Sequence, residues 1–125
     1  MPGSDAVLVA EDDPLLVALL RATFRGADLR LLEATTGNEA LAVARAERPD
    51  LVLLDLGLPG LDGHEVCRLL KGDPATAGIP VLMLTARTGP EDRQRAADVG
   101  ADGYITKPFS PRALVSTVRQ WLAMP

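Results

Sequence analysis

The run Leu51-Val52-Leu53-Leu54-Asp55 constrains this chain more than any other stretch. Four apolar residues lead straight into one carboxylate, and Leu56-Gly57-Leu58-Pro59-Gly60 then turns the chain away. An apolar run without alternation, stopped by glycine and proline, predicts a strand covered on both faces, as in a parallel sheet. Asp55 would then lie at the carboxyl edge of that sheet, where open α/β sheets bind ligands. A lone carboxylate is costly to bury unless cations or donors compensate. The sequence therefore poses the question of what stands beside Asp55.

Four further runs read as strands: Ala6 to Ala10, Leu29 to Ala34, Val81 to Thr85 and Gly103 to Thr106. Helical signals fill the gaps. Asp13-Pro14 is an N-cap followed by a first-turn proline, and it opens a helix to about Arg25 with Leu16, Leu19, Leu20 and Thr23 on one face. Gly26 is the expected stop. Thr36 with Glu39 and Asp62 with Glu65 are capping-box patterns. The first opens a helix carrying Ala40, Leu41 and Ala44, and the second a helix carrying Val66, Leu69 and Leu70. Pro90 opens a fourth helix, Glu91 to Val99, which Gly100 closes. Ser110-Pro111 opens the last, with Leu114, Val115, Val118, Trp121 and Leu122 in its stripe. Five β-α alternations predict a doubly wound three-layer α/β sandwich of the flavodoxin-like kind, with five parallel strands in the order 2-1-3-4-5 and five helices. Residues 1–5 read as a disordered lead-in and 6–123 as one domain. With aromatic residues at 3%, the core must be aliphatic.

Several classes are excluded by composition. A net charge of −4 argues against direct nucleic-acid binding, which needs a basic footprint. One cysteine, Cys67, leaves no internal disulfide and no multi-cysteine metal site. No apolar run approaches a membrane span and no signal peptide is visible, so no membrane role and a cytoplasmic location are expected.

Charged and hydroxyl groups follow the strands in a pattern. Glu11 and Asp12 follow the first, Asp55 ends the third, Thr85 the fourth, and Lys107 follows the fifth. In a parallel sheet these ends share one edge, and the assumed order sets the first strand beside the third. Three carboxylates at close range cannot all stay ionised without a cation. Hard oxygen donors that leave room for water suit Mg²⁺, with Mn²⁺ as a substitute. Lys107 offers a point charge and Thr85 a hydroxyl to an anion at the same place. Such a set suits phosphoryl transfer, where positioning and charge neutralisation dominate, with the Asp55 carboxylate as nucleophile. Taken singly, each residue reads more simply as a cap, a strand residue or a solvated charge; the argument rests on their conjunction.

Four segments carry a resemblance: Leu8-Val9-Ala10-Glu11-Asp12-Asp13-Pro14, Leu53-Leu54-Asp55-Leu56-Gly57-Leu58-Pro59-Gly60, Leu84-Thr85-Ala86, and Gly100-Ala101-Asp102-Gly103-Tyr104-Ile105-Thr106-Lys107-Pro108-Phe109. From about Ala6 to Leu122 the chain resembles the CheY-like receiver domain of the response-regulator family, from two-component signalling. The resemblance implies that Asp55 accepts a phosphoryl group from the phosphohistidine of a sensor histidine kinase or phosphotransfer protein. It implies Mg²⁺ held by Glu11, Asp12, Asp55 and the Gly57 backbone carbonyl, with Asp12 the direct ligand of the first pair. Lys107 would pair with phosphoryl oxygens, and Thr85 and Tyr104 would switch together. A cis bond is implied between Lys107 and Pro108. The readout would be the face of the fourth helix, fifth strand and fifth helix, passed to an effector the sequence does not identify. A homodimer through that face would have incomplete charge pairs: Gly103, Ala113 and Thr117 replace expected charges, while Arg93, Asp98 and Asp102 remain. Turnover of an external substrate is not expected, so the chain reads as a switch and not an enzyme.

The alternative on the same fold is a pseudo-receiver, an interaction module that is never phosphorylated. A phosphatase using an aspartate nucleophile would need a second Asp two residues on, where Gly57 stands. A dinucleotide binder would need a glycine-rich first loop in place of Glu11-Asp12-Asp13. His64, the single histidine, reads as a surface residue, Cys67 as an inert buried thiol, and Trp121 as core or docking surface.

Overall fold

A computed structural model describes residues 5–87 and 89–123. The strands are β1 Ala6–Ala10, β2 Arg30–Ala34, β3 Leu51–Asp55, β4 Val81–Thr85 and β5 Gly103–Thr106. The helices are α1 Pro14–Gly26, α2 Gly37–Glu47, α3 Gly63–Gly72, α4 Pro90–Asp98 and α5 Pro111–Leu122. All strand pairs are parallel and the order is β2-β1-β3-β4-β5, the expected doubly wound, flavodoxin-like arrangement. Met1 to Ser4, most of the expected lead-in, lie outside the described residues. Asp5 is tied to the sheet, its carbonyl accepting the Arg30 N–H at 2.9 Å.

The strands β1, β3 and β4 are buried along their whole length, because side chains of alternate residues leave opposite faces of a strand and both faces are covered. Leu8, Val52, Leu54 and Met83 pack with Ala40, Val66, Leu70 and Ala96 of α2, α3 and α4. Val7, Leu51, Leu53 and Leu82 pack with Leu20, Phe24, Leu114 and Val118 of α1 and α5. Two carboxylates peg the strand starts: Asp50 accepts the Ala6 N–H and Asp102 the Val81 N–H, both at 2.8 Å. Asp102 also pairs with Lys71 at 2.6 Å, and Lys71 donates to the carbonyls of Ala77 and Ile79. Asp102 is thus engaged within the fold.

The helix faces depart from the sequence reading in places. In α1 the buried residues are Val17, Leu20 and Phe24, while Leu16 is only partly covered and Leu19 is 44% exposed. The stripe lies one residue, about 100°, round from the expected one, because Phe24 anchors it. Gly26 remains in the helix, and Asp28, at φ 58°, takes the left-handed conformation after it. The helix caps form, but the acids behave differently. Thr36 accepts the Glu39 N–H at 3.0 Å, yet the Glu39 carboxylate accepts from Thr35. Asp62 caps through the His64 N–H at 3.0 Å, while Glu65 pairs with Arg68.

His64 is buried, with 3% of its surface exposed, which corrects the expectation of a surface residue. It lies one turn before Cys67 and two before Leu70 on the inward stripe of α3, so helical position outweighs its polarity. Among the described residues neither ring nitrogen makes a hydrogen bond; Nδ1 is 3.4 Å from an Asp62 oxygen but poorly directed towards it. Cys67 is buried as expected, its Sγ 3.5 Å from the Val99 carbonyl.

Burial pushes the Cys67 thiol from an ordinary value of 9.0 up to about 11. Thiolate is the reactive species, so iodoacetamide at pH 8 should leave Cys67 unmodified in the native protein and alkylate it within minutes in 6 M guanidinium, read by intact mass. Because the folded value is the raised one, stability should also fall as pH rises through about 9 to 11, where only the unfolded thiol ionises. Gly37 gives a sharper mutational test. A Cβ there would sit 1.8 Å from the Leu61 carbonyl oxygen, so Gly37→Ala should cost about 2 kcal/mol or more in chemical denaturation.

Candidate functional site

The Glu11 N–H donates to the Ala34 carbonyl at 3.0 Å, which carries the sheet pairing one residue past β1 and holds Glu11 at 1% exposure. Its side chain curls back. One oxygen accepts the N–H groups of Asp12 and Asp13, each at 3.1 Å, and the other accepts Lys107 Nζ at 2.6 Å. Asp12 is exposed and its carboxylate has no protein partner among the described residues. Asp13 turns away to cap α1 through the Leu15 N–H.

Asp55, the last residue of β3, is 7% exposed. One oxygen accepts the Gly57 N–H at 3.0 Å, and the other is 3.5 Å from Lys107 Nζ. Glu11, Asp12 and Asp55 bring a carboxylate oxygen each within 4.8 Å of one another. Burial holds the Glu11 carboxyl above its ordinary range, against the opposing pull of Lys107 and the Asp13 amide. Burial also draws Lys107 down, but its bond to Glu11 and the nearby Asp55 outweigh that, and the net shift is upward. Lys107 therefore stays cationic between two carboxylates.

Thr85 ends β4 and is buried, with its hydroxyl accepting the Arg87 N–H at 3.0 Å. Its carbonyl accepts the Lys107 N–H at 2.8 Å, so the backbone of β4 sets where Lys107 begins. The Lys107–Pro108 bond is cis. Tyr104, half-buried on β5, donates its hydroxyl to the Arg87 carbonyl, and the Arg93 guanidinium lies 4.6 Å from its ring centroid. Burial raises the Tyr104 phenol above its ordinary value. Thr85, Arg87 and Tyr104 thus form one hydrogen-bonded chain from the site edge, which the stacked Arg93 joins to α4.

The sequence reading did not find the support of the loop after Asp55. The Gly37 N–H donates to the Pro59 carbonyl at 3.1 Å, and the Asn38 side chain accepts the Leu61 N–H at 3.0 Å. Gly60 has φ 81°, a conformation that side chains rarely adopt. At Gly57 a Cβ would meet only the two Asp55 oxygens, each at an ordinary 3.7 Å.

The donor chemistry fits a hard divalent cation: three carboxylates converge, one of them free, and no soft ligand is present in the cluster. Glu11 already spends both oxygens on Lys107 and two amides, which leaves Asp12 and Asp55 as the open donors.

The family description "response regulator receiver domain" matches residues 7–119, and the chain belongs to that family. It is 45% identical over 113 residues to the DNA-binding response regulator MtrA of Mycolicibacterium smegmatis, covering 90% of this chain and 48% of that protein. The chain spans about half the length of the curated relatives it matches. The receiver domain of a Pseudomonas aeruginosa sensor histidine kinase, solved with a magnesium ion coordinated in its active site cleft, aligns with a TM-score of 0.90 at 27% identity, covering 98% of this chain and all of that one. The BeF3-activated N-terminal receiver domain of Klebsiella pneumoniae RstA aligns at 0.85 and 32% identity, covering 96% and 100%. The chain is therefore a receiver domain of the two-component type. Among the described residues no helix is long and apolar enough to cross a membrane.

Replacing the cation at the centre should expose the repulsion it relieves. Lys107→Met leaves Glu11 and Asp55 facing each other and should cost about 2 kcal/mol without divalent ions. Ten millimolar Mg²⁺ should then raise the melting temperature of the variant more than that of the parent.

Proposed function

We propose that this domain is a phosphorylation-driven switch in which Asp55 is the acceptor. An Asp55 oxygen attacks the phosphorus of a phosphohistidine, the phosphorus–nitrogen bond breaks, and the imidazole leaves on the donor protein. Lys107, already beside Asp55, moves from its bond with Glu11 to a phosphoryl oxygen. Thr85 turns its hydroxyl from the Arg87 amide to donate to another. Mg²⁺ would be held by Asp12, Asp55 and the Gly57 carbonyl, with Glu11 behind them, and supplies neutralisation of phosphoryl charge when bound; Mn²⁺ offers the same coordination chemistry. The observation that carries this reading is the placement of Lys107 within 3.5 Å of Asp55 at an edge crowded with three carboxylates.

The donor would be a sensor histidine kinase or phosphotransfer protein. Leu15, 82% exposed, lines an apolar groove of about 450 Å³ with Leu19, Pro108 and Phe109, adjoining Lys107. That groove would receive the donor protein. A new dianion at Asp55 would act on Thr85, and through Arg87 and Tyr104 on the face of α4, β5 and α5. The span 6–123 is read as the whole receiver, a cytoplasmic module that delivers its signal to an effector and turns over no external substrate. Homodimerisation through the output face has few free charges to use, since Asp102 is held by Lys71 and Arg93 lies on Tyr104. The pseudo-receiver alternative gives no reason for the acidic cluster and its lysine.

Incubation with acetyl phosphate should add one phosphoryl mass in the presence of Mg²⁺, and none without Mg²⁺ or in Asp55→Asn. An adduct that persists in Asp55→Asn would place the acceptor elsewhere. Thr85→Ala should take up phosphoryl within a few-fold of the parent rate, yet lose the chemical-shift change at Tyr104 and along α4 that follows addition of beryllofluoride.

A further inference from the structure

A broad concavity among the described residues has no part in the phosphorylation site. It is a groove of about 880 Å³ between the last turns of α1 and the outer face of α5. Small residues, Ala22, Gly26, Ala27, Ser116 and Ala123, make up much of its lining. Open space lies over Gly26, where a Cβ would meet nothing within 4 Å. Small side chains along much of the lining let a partner backbone approach closely. The trough between two packed helices is also the natural seat of a third.

The charge of the groove is distinctive. The chain carries 17 acidic against 13 basic residues, yet no acidic residue lines this groove, while Arg112 and Arg119 do. They are seven residues apart on α5, two turns along one face, so their Cα atoms lie about 10 Å apart beside the trough. Arg112 has no protein partner among the described residues. Arg119 donates one bond, to the Ala27 carbonyl at 2.8 Å, which pins α5 to the end of α1 and leaves the rest of its guanidinium to a neighbour. A second copy of the chain docked symmetrically would set arginines against arginines, and so is disfavoured. Bare phosphate backbones would gain nothing from the apolar floor.

We propose that the α1–α5 groove docks an amphipathic helix of a partner protein. That helix would bear small or aliphatic residues on its inner face and two carboxylates at heptad spacing to meet Arg112 and Arg119. The site is independent of Asp55 and of its phosphorylation.

The test uses a display library of random 14-residue helix-forming peptides, selected on the full chain carrying Asp55→Asn. Enriched peptides are then measured by fluorescence anisotropy against Gly26→Leu and Arg112→Glu. Gly26→Leu fills the trough at a position with room for it, and circular dichroism verifies that the fold is kept. The expected result is enrichment of acids seven apart beside an apolar stripe. Affinity should fall at least tenfold in each variant and recover in Arg112→Glu when the one peptide acid that faces position 112 is exchanged for lysine. The proposal is overturned by failure to enrich any peptide, by enrichment of neutral or basic peptides, by binding unchanged by Gly26→Leu, or by tighter binding of a 20-base-pair DNA duplex. A dimer in sedimentation that Gly26→Leu abolishes would also overturn it, in favour of self-association.

Discussion

The ammonium of Lys107 meets a carboxylate 96 residues earlier in the chain, and the arrangement of the site depends on that contact. Strands β3 and β4 lie between β1 and β5 in the sheet, so the lysine stem must reach over both to arrive at Glu11. It is one cation among charges that would otherwise repel. Backbone bonds fix its starting point at Thr85, and the curled Glu11 side chain, bonded to the amides of Asp12 and Asp13, fixes its end point. Neither end can move far without unpairing a buried group, and such unpairing is expensive. The ammonium is thereby held 3.5 Å from Asp55 before anything binds there.

Much of this was legible in the sequence because strands buried on both faces leave an unmistakable signature. Val7 to Ala10, Leu51 to Leu54 and Val81 to Leu84 have no polar residue to misplace, and the groups that follow them fall on the shared edge. What escaped the reading depended on geometry finer than pattern. The stripe of α1 turns on Phe24, which no spacing of leucines discloses. His64 is polar by type and buried by position. Glu39 and Glu65 fit the capping pattern, but each found a nearer donor in Thr35 or Arg68. The clamp of Gly37 and Asn38 on the loop after Asp55 joins elements about twenty residues apart, and no local motif announces such a contact.

The anchorage of the helices is uneven. The α3 helix buries five residues, whereas α4 buries only Ala96. The outer attachments of α4 are polar: Arg95 reaches Asp62 at 3.1 Å, and Arg93 rests on Tyr104. Exposed ion pairs contribute little to stability, so α4 is the helix whose position costs least to change. It is also the helix joined to Thr85 through Arg87 and Tyr104. Weak packing and a link to the site thus coincide on one element.

The engagement of Lys71 with Asp102 has a further consequence. The chain contains only two lysines, Lys71 and Lys107, and both are held in ion pairs at strand ends. Every other basic side chain is an arginine. The exterior therefore carries its side-chain positive charge almost wholly as guanidinium, and side-chain amines are confined to two structural posts. Acylation, the commonest covalent way to erase a positive charge, would find no harmless target among the side chains: one would unpeg β4 from α3, the other would remove the cation beside Asp55.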